Sequence, residues 1–260
     1  MAPQAFILPS AQIDAARWDE CVERSANGLV YSSTAYLHAM ADNWHGVVID
    51  DYRAVMAIPW RMKFGFRYAY TPPFVQQLGL TGDFNEADLK AVIRTLPDFV
   101  KLADIHFNFS NTMIAALHPV SVRTNFVLDL SKGYTELQAR YRKDLKENLR
   151  RLPAHELVFG EGSVEEGVSM YRQEYGNRIT AIDAAAYDRF TGLCRQLQEQ
   201  GKCIIKYIAH RNEKVAVVVL LKDGRRIYNI MNTTTAAGRK LNANDALLDH
   251  VLHAFSGQIL

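Results

Sequence analysis

The sequence CIIKYIAHRNEKVAVVVLLKDGRRIYNIMN, residues 203–232, decides the fold class of this chain. It contains three strand-like runs rich in β-branched and aromatic residues, at residues 203–209, 215–221 and 226–232. Polar segments separate the runs, and the second segment, residues 222–225, includes the Asp-Gly pair typical of a β-hairpin. We therefore expect an antiparallel meander of three strands.

Helices are predicted on both sides of this meander. Residues 163–175 begin with the Ser-Val-Glu-Glu pattern of a capping box, and residues 187–200 form a longer helical stretch. After the meander, residues 244–255 are helical, and residues 258–260 resemble the start of a further strand. This order of elements predicts a mixed sheet with helices packed on it.

The first half of the chain follows nearly the same order. We predict a helix, three strands, a second helix and a final strand, at residues 32–40, 46–49, 53–62, 66–70, 86–96 and 104–109. A duplicated unit explains the repetition economically, and chance ordering in an ordinary α+β protein is the open alternative. We assign residues 1–130 to a first unit, and residues 131–260 to a connecting basic helix and a second unit.

The overall composition is that of a folded protein, because 48% of the 260 residues are hydrophobic and 22% are charged. The formal net charge of +2 is too small to indicate by itself that the chain binds nucleic acid or an anionic membrane. No apolar run approaches the ~20 residues needed to span a bilayer, and the first residues lack the features of a signal peptide. Cys21, Cys194 and Cys203 show no metal-site or disulfide spacing, so we expect a cytoplasmic protein.

The connection between the two halves combines a strand-like run with a basic helix. Residues 125–130 are predicted as a strand, and residues 134–152 as one helix with a single apolar stripe that ends before Pro153. Most other helix positions are cationic: Arg140, Arg142, Lys143, Lys146, Arg150 and Arg151. Two interpretations stay open, contact with tRNA or a nucleotide phosphate and a solvated helix that joins the units.

Four stretches resemble GNAT-related acyltransferases of the Fem type, small bacterial proteins among them, which carry two tandem acyltransferase-like units. They are YSSTAYL (31–37), AIPWR with YTPPFVQQLG (57–61 and 70–79), YRKDLKENLRR (141–151) and NANDALL (242–248). The resemblance covers nearly the whole chain. It implies an α/β fold of two tandem GNAT-like units with a cleft between them, each a mixed, mainly antiparallel sheet flanked by helices.

The same resemblance implies transfer of an acyl or aminoacyl group to an amine of a small molecule or peptide. In such proteins a further helix and strand complete the second unit, so we expect that unit to be incomplete at its C-terminal end. Three functions stay open: an N-acyltransferase that uses acyl-CoA, an aminoacyl transferase that uses aminoacyl-tRNA, and a non-catalytic degenerate member. A homo-oligomer is compatible with each of them.

The loop at residues 233–241, before the last helix, is the predicted site for acyl-CoA, the cosubstrate that the resemblance implies. Backbone N–H groups at a helix start attract phosphate, and adjacent cations add positive charge. We expect Gly238, Arg239, Lys240 and Asn242 to contact the donor. An ordinary strand–helix loop is the alternative, since GNAT loops usually contain more glycine.

Tyr228, on the last strand of the meander, is the candidate general acid for the leaving thiolate. Strand alternation predicts that Tyr228 and Asn232 share one face of the sheet and that Asn229 lies on the other. The alternative is a half-buried strand tyrosine with a structural role.

Two loops are candidate binding sites for the acceptor. Tyr70, Gln76 and Gln77 follow a strand in a proline-rich loop, a position that favours binding roles. Tyr175 and Arg178 end a helix, where the arginine would pair with an acceptor carboxylate. A helix C-terminus with a solvated arginine is the alternative.

We do not expect a metal site. Asp249 and His253 are four residues apart on the last helix, but no third and fourth ligands are evident near them. The chain also lacks a P-loop, a G-x-S-x-G elbow and a dinucleotide fingerprint. Functions as an NTPase, an α/β-hydrolase or a Rossmann dehydrogenase are therefore unsupported.

Overall fold

The computed structural model describes residues 5–152 and 156–257. It consists of two compact units, Met1–Thr124 and Asn125–Leu260. Both contain, in the same order, a strand, two helices, a three-strand antiparallel meander and a further helix. This order confirms the predicted fold class of mainly antiparallel, mixed sheets flanked by helices. The assignment of residues 1–130 and 131–260 as the two GNAT-like units stays a prediction.

The first unit is built on a six-stranded sheet. Its strands are β1 (Ala5–Pro9), β2 (Asn43–Ile49), β3 (Ala54–Lys63), β4 (Phe66–Tyr70), β5 (Thr81–Gly82) and β6 (Leu102–Asp104). Its helices are α1 (Ala15–Arg24), α2 (Thr34–Met40), α3 (Glu86–Phe99) and α4 (Ile114–Leu117). The sheet order is β1-β2-β3-β4-β6, antiparallel except for the parallel pair β4–β6, and β5 pairs with β3.

The start of α3 is locked to the start of β3. Asn85 Oδ1 accepts from the N–H of Asp88 and Asp88 Oδ2 accepts from the N–H of Asn85, which forms a capping box. The Asp88 carboxylate, 1% exposed, also pairs with Arg53 at 2.9 Å, and this bond holds its pKa below the usual range. From there Leu89 and Val92 pack into the core cluster of the sheet.

The second unit is built on a four-stranded antiparallel sheet in the order β10-β9-β8-β7. Its strands are β7 (Val158–Glu161), β8 (Cys203–His210), β9 (Glu213–Lys222) and β10 (Ile227–Thr234). Its helices are α5 (Tyr134–Ala139), α6 (Lys143–Arg151), α7 (Val164–Tyr175), α8 (Ala184–Glu199), α9 (Ala236–Lys240) and α10 (Ala243–Phe255).

Strand β9 forms the centre of the second core. Its residues 215–221 are all buried, because helices cover both faces of the sheet. On one face Val218 and Leu220 pack against Leu247 of α10. On the other face α7 comes so close that a Cβ on Gly167 would lie 3.0 Å from Val219. Burial on both faces explains why this strand has a continuous apolar run instead of alternation.

The predicted single helix over residues 134–152 is wrong. Helix α5 ends at Ala139 and α6 begins at Lys143, because Arg142 is extended (φ −62°, ψ 156°). Tyr141, at this break, donates from its hydroxyl to Asp249 of α10. We call α5, α6 and the residues between them the α5–α6 elbow. Pro153, the predicted stop, lies outside the described residues.

Two predicted strands also differ from the structure. Residues 125–130 form no strand, and Phe126 and Val127 are exposed there, since an apolar run becomes a strand only beside a partner edge. The strand predicted at residues 104–109 is β6, Leu102–Asp104, followed by a single parallel bridge between Leu78 and Phe107. The strand predicted at residues 258–260 lies outside the described residues.

Several elements were not predicted, among them β1, β7 and α1. β1 and β7 are edge strands of 5 and 4 residues, too short for a clear periodic signal. In α1 only Trp18, Cys21 and Val22 are buried, so the apolar stripe of that helix is narrow. Their presence makes the element order of the two units more alike than the sequence indicated.

Candidate functional site

The second unit contains a cavity of about 380 Å³ where β10 ends and α9 and α10 begin. Polar side chains dominate its wall, which is made by Tyr175, Asn232, Thr234, Arg239, Asn242, Asn244 and Asp245. Three of the residues predicted as site residues, Tyr175, Arg239 and Asn242, therefore line one cavity.

A β-bulge in β10 decides which of its side chains face this cavity. Asn229 pairs with Leu220 and Met231 with Val219, so Ile230 is an extra residue in the strand. Tyr228 then pairs with Leu221 and Asn232 with Val218, three positions apart on β9. The prediction that Tyr228 and Asn232 share a face is wrong, because the extra residue reverses the alternation.

Tyr228 consequently lies away from the cavity. Its side chain is buried, and its hydroxyl donates to the Asp223 carboxylate in the turn before β10. Asn232 and Thr234, two residues apart, lie on the face that α10 covers and reach the cavity wall. Thr234 belongs to the predicted donor loop, residues 233–241, but no local pattern distinguishes it within that loop.

Helix α9 shapes one wall of the cavity. Thr235 caps this helix, because its Oγ1 accepts from the N–H of Gly238 at 3.0 Å. A Cβ on Gly238 would lie 2.2 Å from the carbonyl oxygen of Val215. Gly238 is thus needed for close packing against β9, and its N–H is already used within the loop.

The two cations predicted to bind phosphate differ in position. Arg239 lines the cavity, where its Nη1 donates to the carbonyl of Thr234 and lies 3.7 Å from Glu174 Oε2. Its side chain is half exposed, so the guanidinium remains accessible from the cavity. Lys240 is exposed and does not line the cavity.

Polar groups at the start of α10, beside the cavity, have unused hydrogen-bonding capacity. Asn242 takes the left-handed conformation (φ 51°), and its side chain makes no cap, so the first N–H groups of the helix are not covered by it. Asn244 Oδ1 is buried and has no hydrogen-bond partner among the described residues. A buried acceptor without a donor is costly, and a ligand that supplies a donor would relieve that cost.

The predicted acceptor residues lie in two different units. In the second unit the Arg178 guanidinium is stacked 6.0 Å from the centre of the Tyr175 ring, just outside the cavity wall. In the first unit the Tyr70 hydroxyl accepts from the N–H of Asp42, and burial raises the pKa of Tyr70. Gln77 Oε1 there accepts from the N–H of Phe109, whereas Gln76 is exposed.

The α5–α6 elbow is fastened to α10 by two carboxylates. The hydroxyls of Tyr134 and Tyr141 both donate to Asp249 Oδ1, at 2.7 and 2.9 Å. Burial, together with the neighbouring carboxylate, raises the pKa of Tyr134 to about 12. Asn148 Nδ2 donates to Asp245 Oδ2 at 2.8 Å. These acids are therefore structural anchors, and no cluster of three metal-binding side chains occurs in the described ranges.

The elbow also borders a second cavity, of about 500 Å³, and exposes several cations. Its wall comprises Thr135, Gln138, Ala139, Tyr141, Lys146, Leu149 and Arg150. Arg140 and Arg151 form ion pairs with glutamates four residues before them. Arg142, Lys143 and Arg150 form no ion pair with any residue that the structure describes.

Comparison with known proteins identifies the fold. Residues 139–258 match a family model described as an acetyltransferase (GNAT) domain. FemX superposes with a TM-score of 0.66 at 10% identity, over 96% of this chain and 85% of that chain. A search of curated proteins found no significant match.

Two further solved structures are similar over most of their length. A conserved protein of unknown function from Bacteroides thetaiotaomicron gives a TM-score of 0.55 at 12% identity, over 93% of this chain and 84% of that one. The C-terminal domain of a putative lysylphosphatidylglycerol synthetase from Agrobacterium fabrum gives 0.55 at 11%, over 95% and 75%. The chain thus has a GNAT-related fold of the Fem type. Among the described residues, no helix combines the length and the apolar character needed to cross a bilayer.

Proposed function

We propose that this chain, with its GNAT-related fold of the Fem type, is an N-acyltransferase that moves an acyl group from acyl-CoA to an amine. The observation that supports it is the cavity of the second unit, where Arg239 meets the uncapped start of α10 and the unpartnered Asn244 Oδ1. This cavity lies inside the segment that matches the GNAT domain model. GNAT domains usually take acyl-CoA as the cosubstrate.

We assign the donor phosphates to the mouth of this cavity. Arg239 would pair with a phosphate oxygen, and the N–H groups after Asn242 would donate to the same anion. Lys240, exposed beside the cavity, would add long-range attraction without direct contact. Gly238 would contribute only by allowing the loop to pack on β9.

The chemical step joins the amine nitrogen to the thioester carbonyl and breaks the carbon–sulfur bond. The amine loses a proton, and the leaving thiolate gains one. Tyr175 has its side chain in the cavity wall, whereas the Tyr228 hydroxyl donates to Asp223 on the other side of the sheet. We therefore propose Tyr175 as the residue that protonates the thiolate, and Arg178 beside it as a contact for the acceptor.

The donor assignment is tested by calorimetric titration of the chain with acetyl-CoA and with free CoA. We expect saturable binding that Arg239→Ala weakens by about tenfold, as expected for loss of one charge-assisted hydrogen bond. Arg225→Ala is the matched control, because Arg225 is an exposed arginine in the turn before β10, outside the cavity. Absence of binding by folded protein, or equal affinity of both variants, would reject the proposal.

The acid assignment is tested by two conservative variants. Tyr175→Phe should lower kcat by about a hundredfold with little change in donor affinity, because a positioned general acid typically contributes that much. Tyr228→Phe should leave kcat nearly unchanged and cost about 1 kcal/mol of stability through the lost bond to Asp223. The reverse pattern would return the catalytic role to Tyr228.

Transfer from aminoacyl-tRNA is the second candidate, and the α5–α6 elbow favours it. Arg142, Lys143 and Arg150 carry charges that no acid among the described residues neutralises, and Arg150 lies at the second cavity. A low-salt gel-shift assay with tRNA tests this function. Retention that falls steeply with salt, and is lost when the three cations are changed to Glu, would support it; no retention at low salt would exclude it.

A further inference from the structure

The hairpin between β3 and β4 in the first unit exposes an unusual set of side chains. Residues 62–67 form an uninterrupted exposed run. Within it Met62 is 57% exposed, Phe64 is 87% exposed and Phe66 is 59% exposed. Between residues 60 and 70 the sequence has Arg61, Lys63 and Arg67 but no acidic residue. Arg61 forms an ion pair with Asp42, so the positive charge of this apolar hairpin comes from Lys63 and Arg67.

The turn places a bulky residue, Phe64, at a position of positive φ. Lys63 pairs with Phe66, so the loop consists of Phe64 and Gly65, with φ of 50° and 79°. A two-residue turn with positive φ at both positions prefers Asn or Asp before the Gly, because a bulky side chain is strained there. Phe64 thus occupies a strained position and gains little packing within the unit. Such a residue indicates a role outside the fold.

The register distributes these side chains symmetrically around the tip. Met62 and Arg67 are cross-strand partners on one face, and Lys63 and Phe66 are partners on the other. Each face therefore carries one apolar and one cationic side chain, and Phe64 stands at the end. The result is a convex apolar tip with Lys63 beside it. Arg67 lies at its base, where the guanidinium is 5.0 Å from the centre of the Trp60 ring and 4.9 Å from that of Phe99.

The neighbouring strand extends this surface. The N–H of Lys101 donates to the carbonyl of Arg67, and Leu102, the partner of Tyr68, is exposed on β6. Lys101 adds a further cation beside the hairpin. The apolar and cationic surface is thus not confined to the turn.

The matching hairpin of the second unit shows that the fold does not require an apolar tip. In the β9–β10 turn the side chain of Asp223 accepts from the N–H groups of Arg225 and Arg226, both at 2.7 Å. No large apolar side chain is exposed between residues 222 and 226 of the described chain. A polar turn, stabilised by its own aspartate, therefore connects the corresponding strands of the second unit.

We propose that the β3–β4 hairpin docks the protein on an anionic lipid bilayer. Met62, Phe64 and Phe66 enter the interfacial region, and Lys63 contacts phosphate groups of the lipids. Arg67, over the Trp60 and Phe99 rings, adds positive charge at the base of the hairpin. A lipid interface accepts a convex apolar tip accompanied by cations, whereas a protein partner would need a groove that matches it. This proposal is independent of the acyl donor, because the hairpin and the cavity belong to different units.

The test is co-sedimentation of the full chain with vesicles. One set contains equal parts of phosphatidylglycerol and phosphatidylcholine, and the other contains phosphatidylcholine alone. We expect binding to the anionic set and about a tenfold loss for Phe64→Asn, a change that suits the positive φ and should keep the turn folded. Val122→Ser is the matched control, because Val122 is 91% exposed elsewhere in the first unit.

A second readout reports insertion directly. Phe64→Trp should show a blue shift of tryptophan emission with anionic vesicles, and Val122→Trp should show none. The proposal is overturned if neither vesicle set binds, if both control and hairpin variants bind equally, or if lipid charge has no effect. It is also overturned if sedimentation shows that Phe64→Asn dissociates a dimer, since the hairpin would then contact a second copy.

Discussion

The two units end their meanders in different ways. In the second unit β10 is bulged, and α9 begins two residues after it ends, so a cavity remains beside the strand end. In the first unit β4 runs in unbroken register, and residues 71–85 connect it to α3. Leu78 and Leu80 of that loop are fully buried. One topology therefore leaves a polar site in one unit and a packed core in the other.

An asparagine network holds the loop of the first unit in place. The carbonyl of Leu80 accepts from the side chains of Asn27, Asn108 and Asn111, and its N–H donates to Asn111 Oδ1. All three asparagines are buried, so these bonds are shielded from water. The corresponding region of the second unit holds a polar cavity instead of a buried loop.

Asn111→Ala should produce the largest effect, a loss of stability in the first unit. It removes both bonds to Leu80 and leaves a buried N–H without a partner, which costs about 3 kcal/mol. All three tryptophans, Trp18, Trp44 and Trp60, belong to the first unit, so urea unfolding followed by tryptophan fluorescence reports on it. Acyl-CoA affinity should be unchanged. A loss of affinity as large as the loss of stability would show that the units do not act separately.

Asn244→Leu should separate ligand binding from stability in the second unit. The change removes a buried acceptor that has no partner among the described residues, so the free energy of unfolding should stay within about 0.5 kcal/mol or rise. Acyl-CoA affinity should fall by about tenfold, because the ligand loses an acceptor. Asn229→Leu, on the exposed part of β10, is the control. Loss of stability without loss of affinity would contradict the assignment.

The smallest expected effect is a pH dependence of the stability of the first unit. His45 Nδ1 accepts from Trp60 Nε1, and burial together with the charge of Arg67 lowers the pKa of His45. The unfolded chain therefore binds a proton at His45 more readily than the folded chain does. The contribution of neutral His45 to the free energy of unfolding is complete above about pH 6.5, and it is lost as the pH falls through the folded pKa.

Urea unfolding of the wild type and of His45→Gln, followed by tryptophan fluorescence at about pH 7 and pH 5, measures this contribution. The wild type should lose stability on acidification by a modest amount that the variant does not lose. His250 in the second unit also has a lowered pKa, because of burial and the charge of Lys206. The pH response of a His250→Gln variant is therefore compared with that of His45→Gln. If the stability of His45→Gln responds to pH as that of the wild type does, His45 is not the source of the pH dependence.

Long periodic segments were predictable because their side chains follow one rule over many residues. The meander of residues 203–232, α7, α8 and α10 were recognised from such patterns. The break in the α5–α6 elbow was not, because the apolar stripe continues through it. The break accompanies hydrogen bonds between Tyr141 and Asp249, residues 108 positions apart in sequence.

The candidate site was predictable only in part. Tyr175, Arg239 and Asn242 lie near element ends, where loops carry polar residues, and the structure brings these three to one cavity. Tyr228 was predicted to share a face of the sheet with Asn232, but a single extra residue at the bulge places the two on opposite faces. Strand alternation has a period of two, so one insertion reverses every later assignment.

The sequence by itself determined the meander of residues 203–232, the helices on either side of it and the similar order of elements in the two halves, because these depend on local spacing. The tertiary structure alone decided which polar groups meet. The bulge in β10, the left-handed Asn242 and the unpartnered Asn244 Oδ1 depend on packing between elements distant in sequence. A cavity is space left between packed elements, and no local pattern encodes that space.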